Sequence, residues 1–112
     1  MRRGELWTIA GEEQRAVIIV QDDIFDATDS VTVCALTEDR IEAPLFRVPL
    51  APNPHNGLSA ASFLMVDRIA TVAKTRLDTR LGRLGDEDVL KLNQAMLVFL
   101  GLAISPKGKP RV

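Results

Sequence analysis

The 112-residue sequence has no tyrosine, one tryptophan, one histidine and one cysteine. Each shortage removes a class of chemistry. A single cysteine cannot build an internal disulfide framework and suits a reducing compartment. His55 and Cys34 alone cannot supply a zinc ligand set, and neither HExxH nor CxxC spacing occurs, so no metal and no cofactor are expected. Platforms for stacking bases reduce to Trp7 and four phenylalanines. Gly82 and Gly85 lack the lysine and flanking pattern of a phosphate-cradling loop. The longest apolar run, Ala95 to Ile104, falls far short of the roughly 20 residues that span a bilayer. Met1-Arg2-Arg3 leads into glycine and glutamate rather than an apolar stretch, so no signal peptide and a cytoplasmic location are expected. A net charge of -1 exerts no overall pull on a polyanion, which any such partner would have to find in a local patch.

What is present is enough for one core. The chain is 46% hydrophobic and 26% charged, as in a globular domain, and its length fits a single domain. Gly4 to Ile9, Ala16 to Gln21 and Val31 to Leu36 are rich in β-branched residues and bounded by Gly, Asp and Ser, which predicts strands. Leu45 to Leu50 is a further strand that Pro49 assigns to an edge or a strand end. Ala51 to Gly57, with two prolines, two asparagines and a glycine, is a loop. Ser62 to Lys74 reads as one long strand or a bent pair, with a bend or tight turn at Asp67-Arg68. No long helical crossover separates these runs, which favours an antiparallel meander.

The period then changes. Asp86 is a candidate N-cap, with Glu87 and Asp88 suited to the positive end of a helix. Val89, Leu92, Met96, Leu100 and Ala103 recur at helical spacing. Near its end the helix is apolar on almost every face, through Leu97, Val98 and Phe99, which fits burial in its own core or against a second subunit. Ser105-Pro106 is expected to stop it, leaving residues 1–104 as the domain and 105–112 as a basic tail. The pattern describes an α+β, mainly β fold: a small curved antiparallel sheet or half-open barrel with one helix.

Few residues stand out as chemistry. Cys34 lies in an apolar run and reads as core, as does Trp7 beside Leu6; His55 reads as a solvated loop residue. Arg15 immediately precedes the second strand and Thr37 follows the third. Were these strands neighbours, both would reach one rim. A guanidinium and a hydroxyl together suit a phosphodiester, the first as a planar charged clamp and the second as a neutral donor. Two ordinary strand-end residues would look the same. Lys74, Arg76, Arg80 and Arg83 form a local basic strip interrupted by one acid, Asp78, and could guide a polyanion or simply be a solvated face.

Four segments in order carry a resemblance. Arg2 to Trp7 (RRGELW), Arg15 to Asp23 (RAVIIVQDD), Val31 to Thr37 (VTVCALT) and Asn56 to Leu77 (NGLSAASFLMVDRIATVAKTRL) are similar to successive segments of MazF/PemK-type toxins. The stretch from Arg80 to Leu102 resembles the closing strand and helix of that family. The resemblance implies an SH3-like small curved antiparallel β-barrel with a C-terminal helix, assembled as a homodimer. It implies a sequence-specific, metal-independent endoribonuclease, inhibited by the disordered C-terminal segment of a cognate antitoxin. It places the catalytic arginine and threonine on Arg15 and Thr37 and a further acid on Asp67; for such a substrate, RNA contacts are expected at Gln21, Lys74, Arg76 and Arg80. Cleavage would use the RNA's own 2′-OH and leave a 2′,3′-cyclic phosphate and a 5′-OH. Two departures stand out: Ala16 replaces the family's proline, and the loop before Arg15 shrinks to Ala10–Gln14 with two glutamates. A non-catalytic relative, either a gyrase poison or an inactive chain that titrates antitoxins, is the alternative. The basic KGKPRV ending, which lacks a terminal aromatic, counts against the gyrase poison.

Overall fold

In the computed structural model the described residues are 1–11, 15–40 and 47–103. They form six strands and one α-helix: β1 (Glu5–Ile9), β2 (Ala16–Ile19), β3 (Ser30–Thr37), β4 (Arg47–Leu50), β5 (Ser62–Ala73), β6 (Leu77–Arg83) and α1 (Asp86–Phe99). The strands make one curved antiparallel sheet in the order β4-β5-β3-β2-β1-β6. Pro49 sits on edge strand β4 and is exposed, where its missing N–H disrupts no ladder.

Both faces of the sheet's centre are covered, which explains a feature of the sequence. Val17, Ile18 and Ile19 are consecutive and all buried, so β2 shows no alternation. Ile18 belongs to a core with Leu6, Cys34, Leu36, Leu64 and Leu92, while Val17 and Ile19 pack on the other face with Ile9, Val31, Val33 and Leu77. Trp7 lies half-buried against this second cluster, its indole N–H donated to Glu5 at 3.1 Å. Cys34 is fully buried in the first, and burial pushes its thiol up to about 12, so it is an inert core residue.

β5 is one strand, with an irregularity where the sequence suggested a bend. Cys34 pairs with Ile69 but Ala35 pairs with Met65, so Val66, Asp67 and Arg68 are inserted opposite that step. No tight turn forms there; the bulge bends the strand instead.

Helix α1 corrects two expectations by small shifts. Gly85, not Asp86, is the N-cap, and Asp86, Glu87 and Asp88 fill the first turn, where the helix dipole favours acids. The helix stops at Phe99, before Ser105-Pro106, because Gly101 adopts a left-handed φ of 77°. Leu102 N–H then reaches Leu97 O at 2.8 Å and Gly101 N–H reaches Val98 O at 3.1 Å, the two bonds of a Schellman stop. Ser105, Pro106 and the basic tail lie outside the described residues. Leu92 and Ala95 enter the core with Val89 and Met96 beside them, whereas Leu97, Val98, Phe99, Leu100 and Leu102 stay exposed. Among the described residues, no helix is long and apolar enough to cross a membrane.

Candidate active site

The β2–β3 ladder pairs Val17 with Ala35, Ile18 with Cys34 and Ile19 with Val33. Carried two residues outward, that register sets Arg15 across from Thr37. Both line one cleft of about 630 Å³, together with Thr8 of β1, Glu38, Leu81 of β6, and Gly57, Leu58, Ser59 and Ser62 of the β4–β5 segment. The two sequence candidates therefore meet on one rim.

Their chemical states suit an anion. Arg15 is exposed, and among the described residues its side chain makes no hydrogen bond or ion pair. Thr37 Oγ accepts the N–H of Asp39 at 3.1 Å, which orients the hydroxyl and leaves its proton for another acceptor. A charged fork and a hydroxyl donor thus share a polar opening.

The cleft's far side is a loop held rigid by two asparagines. Asn56 is fully buried; its Oδ1 accepts the N–H of Asn53 at 3.2 Å and of Leu58 at 3.0 Å, and its Nδ2 donates to Ala51 O at 2.9 Å. Asn53 Oδ1 accepts the N–H groups of His55 and Asn56 at 2.8 and 2.9 Å. The loop is also bolted to β6, where Arg83 N–H donates to His55 O at 2.8 Å. Glycine permits this approach at two places. A Cβ on Gly82 would lie 2.2 Å from His55 O, and one on Gly57, itself at φ +72°, would lie 2.1 Å from Leu81 O.

The other predicted residues lie elsewhere. Asp67 and Gln21 line a second, more apolar depression with Phe25, Met96, Phe99 and Leu100. Asp67 is clamped by Arg47 through bonds of 2.9 and 3.1 Å. Those Arg47 bonds hold its carboxyl below the usual range, against the opposing effect of burial. Gln21 braces the segment after β2: it donates to Phe25 O at 3.0 Å and accepts the Thr32 N–H at 3.3 Å. Lys74 and Arg76 flank a single 3-10 turn between β5 and β6, and Lys74 is tied to the Asp26 carbonyl and carboxylate. Arg80 donates to Glu5 at 3.0 Å, and Leu81 rather than Arg80 is the β6 residue that lines the cleft. Sequence reading overlooked Glu38 and the Asn53–Ser62 wall. Glu38 had a signal, being the residue next to a candidate at a strand end.

The model of the PemK-like, MazF-like toxins of type II toxin–antitoxin systems matches residues 2–100. The chain belongs to that family. It is 45% identical over 108 residues to the probable endoribonuclease MazF of Mycolicibacterium smegmatis, covering 92% of this chain and 99% of that one. Its fold is similar to that of a mycobacterial endoribonuclease solved with its cognate antitoxin, at a TM-score of 0.77 and 26% identity, over 91% of this chain and 96% of that one. MazF in the MazE–MazF complex of Deinococcus radiodurans shares the fold at a TM-score of 0.74 and 17% identity, with 90% and 96% of the two chains covered. Arg15 and Thr37 are the pair of expected site residues that the geometry brings together.

Proposed function

We propose that this chain is the toxin of a type II toxin–antitoxin pair and cleaves single-stranded RNA at specific sequences, with Arg15 and Thr37 as catalytic residues. One observation carries the assignment: an uncommitted guanidinium and an oriented hydroxyl face the same cleft from paired strands. The RNA 2′-oxygen attacks the adjacent phosphorus, and no step is assigned to a metal ion. DNA lacks that hydroxyl and is not a substrate. Negative charge grows on the phosphoryl oxygens as the bond forms, and fixed donors stabilise it without reorganising. Arg15 supplies charge and a planar fork; Thr37 supplies a neutral hydrogen bond.

The cleft, rather than the basic strip, is where we place the scissile phosphate. Lys74 and Arg80 already serve Asp26 and Glu5, which reduces their pull on RNA. Gln21 and Asp67 mark the second depression. It is continuous with the exposed apolar end of α1 through Phe99 and Leu100, and together these suit a second copy of the chain. The cognate antitoxin's disordered C-terminal segment, acidic and apolar, is assigned to the Arg15 rim, where it competes with RNA.

Cleavage of a mixed RNA with mapping of the new ends tests the reading. The expected products carry 2′,3′-cyclic phosphate and 5′-OH termini. Arg15→Ala and Thr37→Ala should each slow cleavage about 10²–10³-fold, by analogy with oxyanion-hole donors. Arg15→Lys should recover only part of the rate, because an ammonium lacks the fork. An Arg15→Ala protein that folds normally and cuts at the wild-type rate would end the clamp assignment.

A further inference from the structure

We propose that Glu38 is the general base of the cleft, accepting the proton of the attacking 2′-hydroxyl. The inference rests on the preceding reading of this cleft as an RNA-cleaving site. Among the described residues lining it, Arg15 and Glu38 are the two that carry charge. A guanidinium stays protonated and cannot take a proton, and a threonine hydroxyl is a poor base, which leaves the carboxylate. Asp67 is excluded by position. It lines the other depression, with both carboxylate oxygens engaged by Arg47.

The end of β3 explains how two successive side chains face one cleft. In a continuing strand Thr37 and Glu38 would point to opposite sides of the sheet. Strand β3 ends at Thr37, and the Asp39 N–H bond to Thr37 Oγ closes a tight turn there, so both residues line the opening. Glu38 is exposed and makes no side-chain hydrogen bond or ion pair among the described residues, so its lone pairs are open to a substrate. In the reaction the 2′-O–H bond breaks and its proton passes to the Glu38 carboxylate. The O2′–P bond forms and the P–O5′ bond breaks with its electron pair. The 5′-oxygen takes a proton from solvent while Glu38 returns one to solvent, so the transesterification is proton-neutral.

Among the described residues, the charged groups around Glu38 are Arg15 from the start of β2 and its chain neighbours Asp39 and Arg40. The elements β1, β6 and the β4–β5 segment face the cleft with Thr8, Leu81 and Ser59, none of which carries a charge. A base of this kind contributes about 10²–10⁴-fold. Single-turnover cleavage of one defined RNA oligonucleotide should therefore fall by that factor in Glu38→Gln, with RNA affinity changed only a few-fold. The pH dependence of the cleavage rate should differ between wild type and Glu38→Gln, which a purely structural role would not produce. Formate or imidazole should restore part of the rate to Glu38→Ala, and Glu38→Asp should retain part of it. Glu38→Gln cutting at the wild-type rate or faster, while Arg15→Ala is impaired, would sink the base and leave the cleft reading intact. A defect confined to RNA affinity would also sink it. A wild-type protein that cuts no RNA would remove both.

Discussion

Gly82→Ala should loosen the cleft from behind, at a position that touches no substrate. The residue is buried on β6, and an added Cβ would lie 2.2 Å from His55 O, 2.6 Å from Asn56 C and 2.9 Å from Asn56 Cα. All three obstacles are backbone, so no flexible side chain can swing away. A carbon rests at about 3.3 Å or more from a carbonyl oxygen, so the loop must retreat by about 1 Å. Overpacking of this kind costs about 1–3 kcal/mol. The retreat also stretches the 2.8 Å Arg83–His55 bond, adding about 0.5–1.5 kcal/mol. A total of about 1.5–4.5 kcal/mol follows. With an unfolding entropy of about 2.1 cal/mol/K per residue, that lowers Tm by about 6–19 °C. Calorimetry at fixed protein concentration measures it directly, and RNA cleavage well below the new Tm should drop as the Gly57–Ser62 wall shifts. Gly57→Ala wedges the same loop against Leu81 O, so the double variant should cost clearly less than the two singles combined. Gly11→Ala is the control. It has φ +80° and nothing within 4 Å of its Cβ, so it should cost only the left-handed penalty of about 1–2 kcal/mol. If Gly82→Ala melts within about 2 °C of wild type, the loop is not braced by β6 as described.

Two further outcomes concern the rest of the fold. Asp67 has its carboxyl lowered by Arg47; in Glu5, burial acts upward but is outweighed by bonds from Arg2 N–H, Trp7 and Arg80. A carboxyl lowered on folding stabilises above its unfolded pKa, about 3.9 for Asp and 4.3 for Glu, and that contribution fades as pH falls through the folded value. Urea titrations should thus show stability declining below about pH 4, and Asp67→Asn should flatten that decline. The same substitution should cost about 1.5–3 kcal/mol at neutral pH, toward the low end because 24% of the Asp67 side chain is exposed. Leu100→Glu, at a residue 52% exposed on the apolar end of α1, should leave the melting of the isolated chain nearly unchanged yet give a one-chain mass by light scattering. A two-chain mass retained by that variant would place the subunit contact elsewhere.

Much of the fold was legible because local chemistry and burial coincide in it. The β-branched runs became β1, β2 and β3, the proline marked β4 as an edge, and the Asp67-Arg68 interruption marked the bulge. Strand β6 was visible only through the family resemblance. Its exposed Asp78, Thr79 and Arg80 follow one another, and the register against β1 slips twice, between Leu6 and Trp7 and again before Ile9. Two slips erase the period of two on which a strand reading depends. The helix stripe misled at its end for a related reason. Spacing continued through Leu100 and Ala103, but the Schellman stop at Gly101 and departure from the sheet left those residues outside the core.

The site divides along the same line. Arg15 and Thr37 were legible because the ends of adjacent antiparallel strands must meet, so two polar residues at those ends are brought together by topology alone. Asp67 followed the family resemblance to a different depression, since a residue's face in a bulged strand depends on the bulge and not on its place in the run, and Gln21 lines that depression too. The wall opposite Arg15 could not be read at all. Asn56 is as buried as Leu64, yet nothing periodic surrounds it. Its burial comes from two glycines, one on the loop and one on β6, that let backbones approach more closely than any side chain permits. Those contacts join residues 24 to 27 positions apart, and their local trace is only a polar loop followed by a glycine-containing strand. The cleft is thus half topology, which a sequence pattern encodes, and half close packing, which it does not. The Gly82 substitution acts on the second half alone: it leaves Arg15, Thr37 and Glu38 in place while moving the surface that must hold RNA against them.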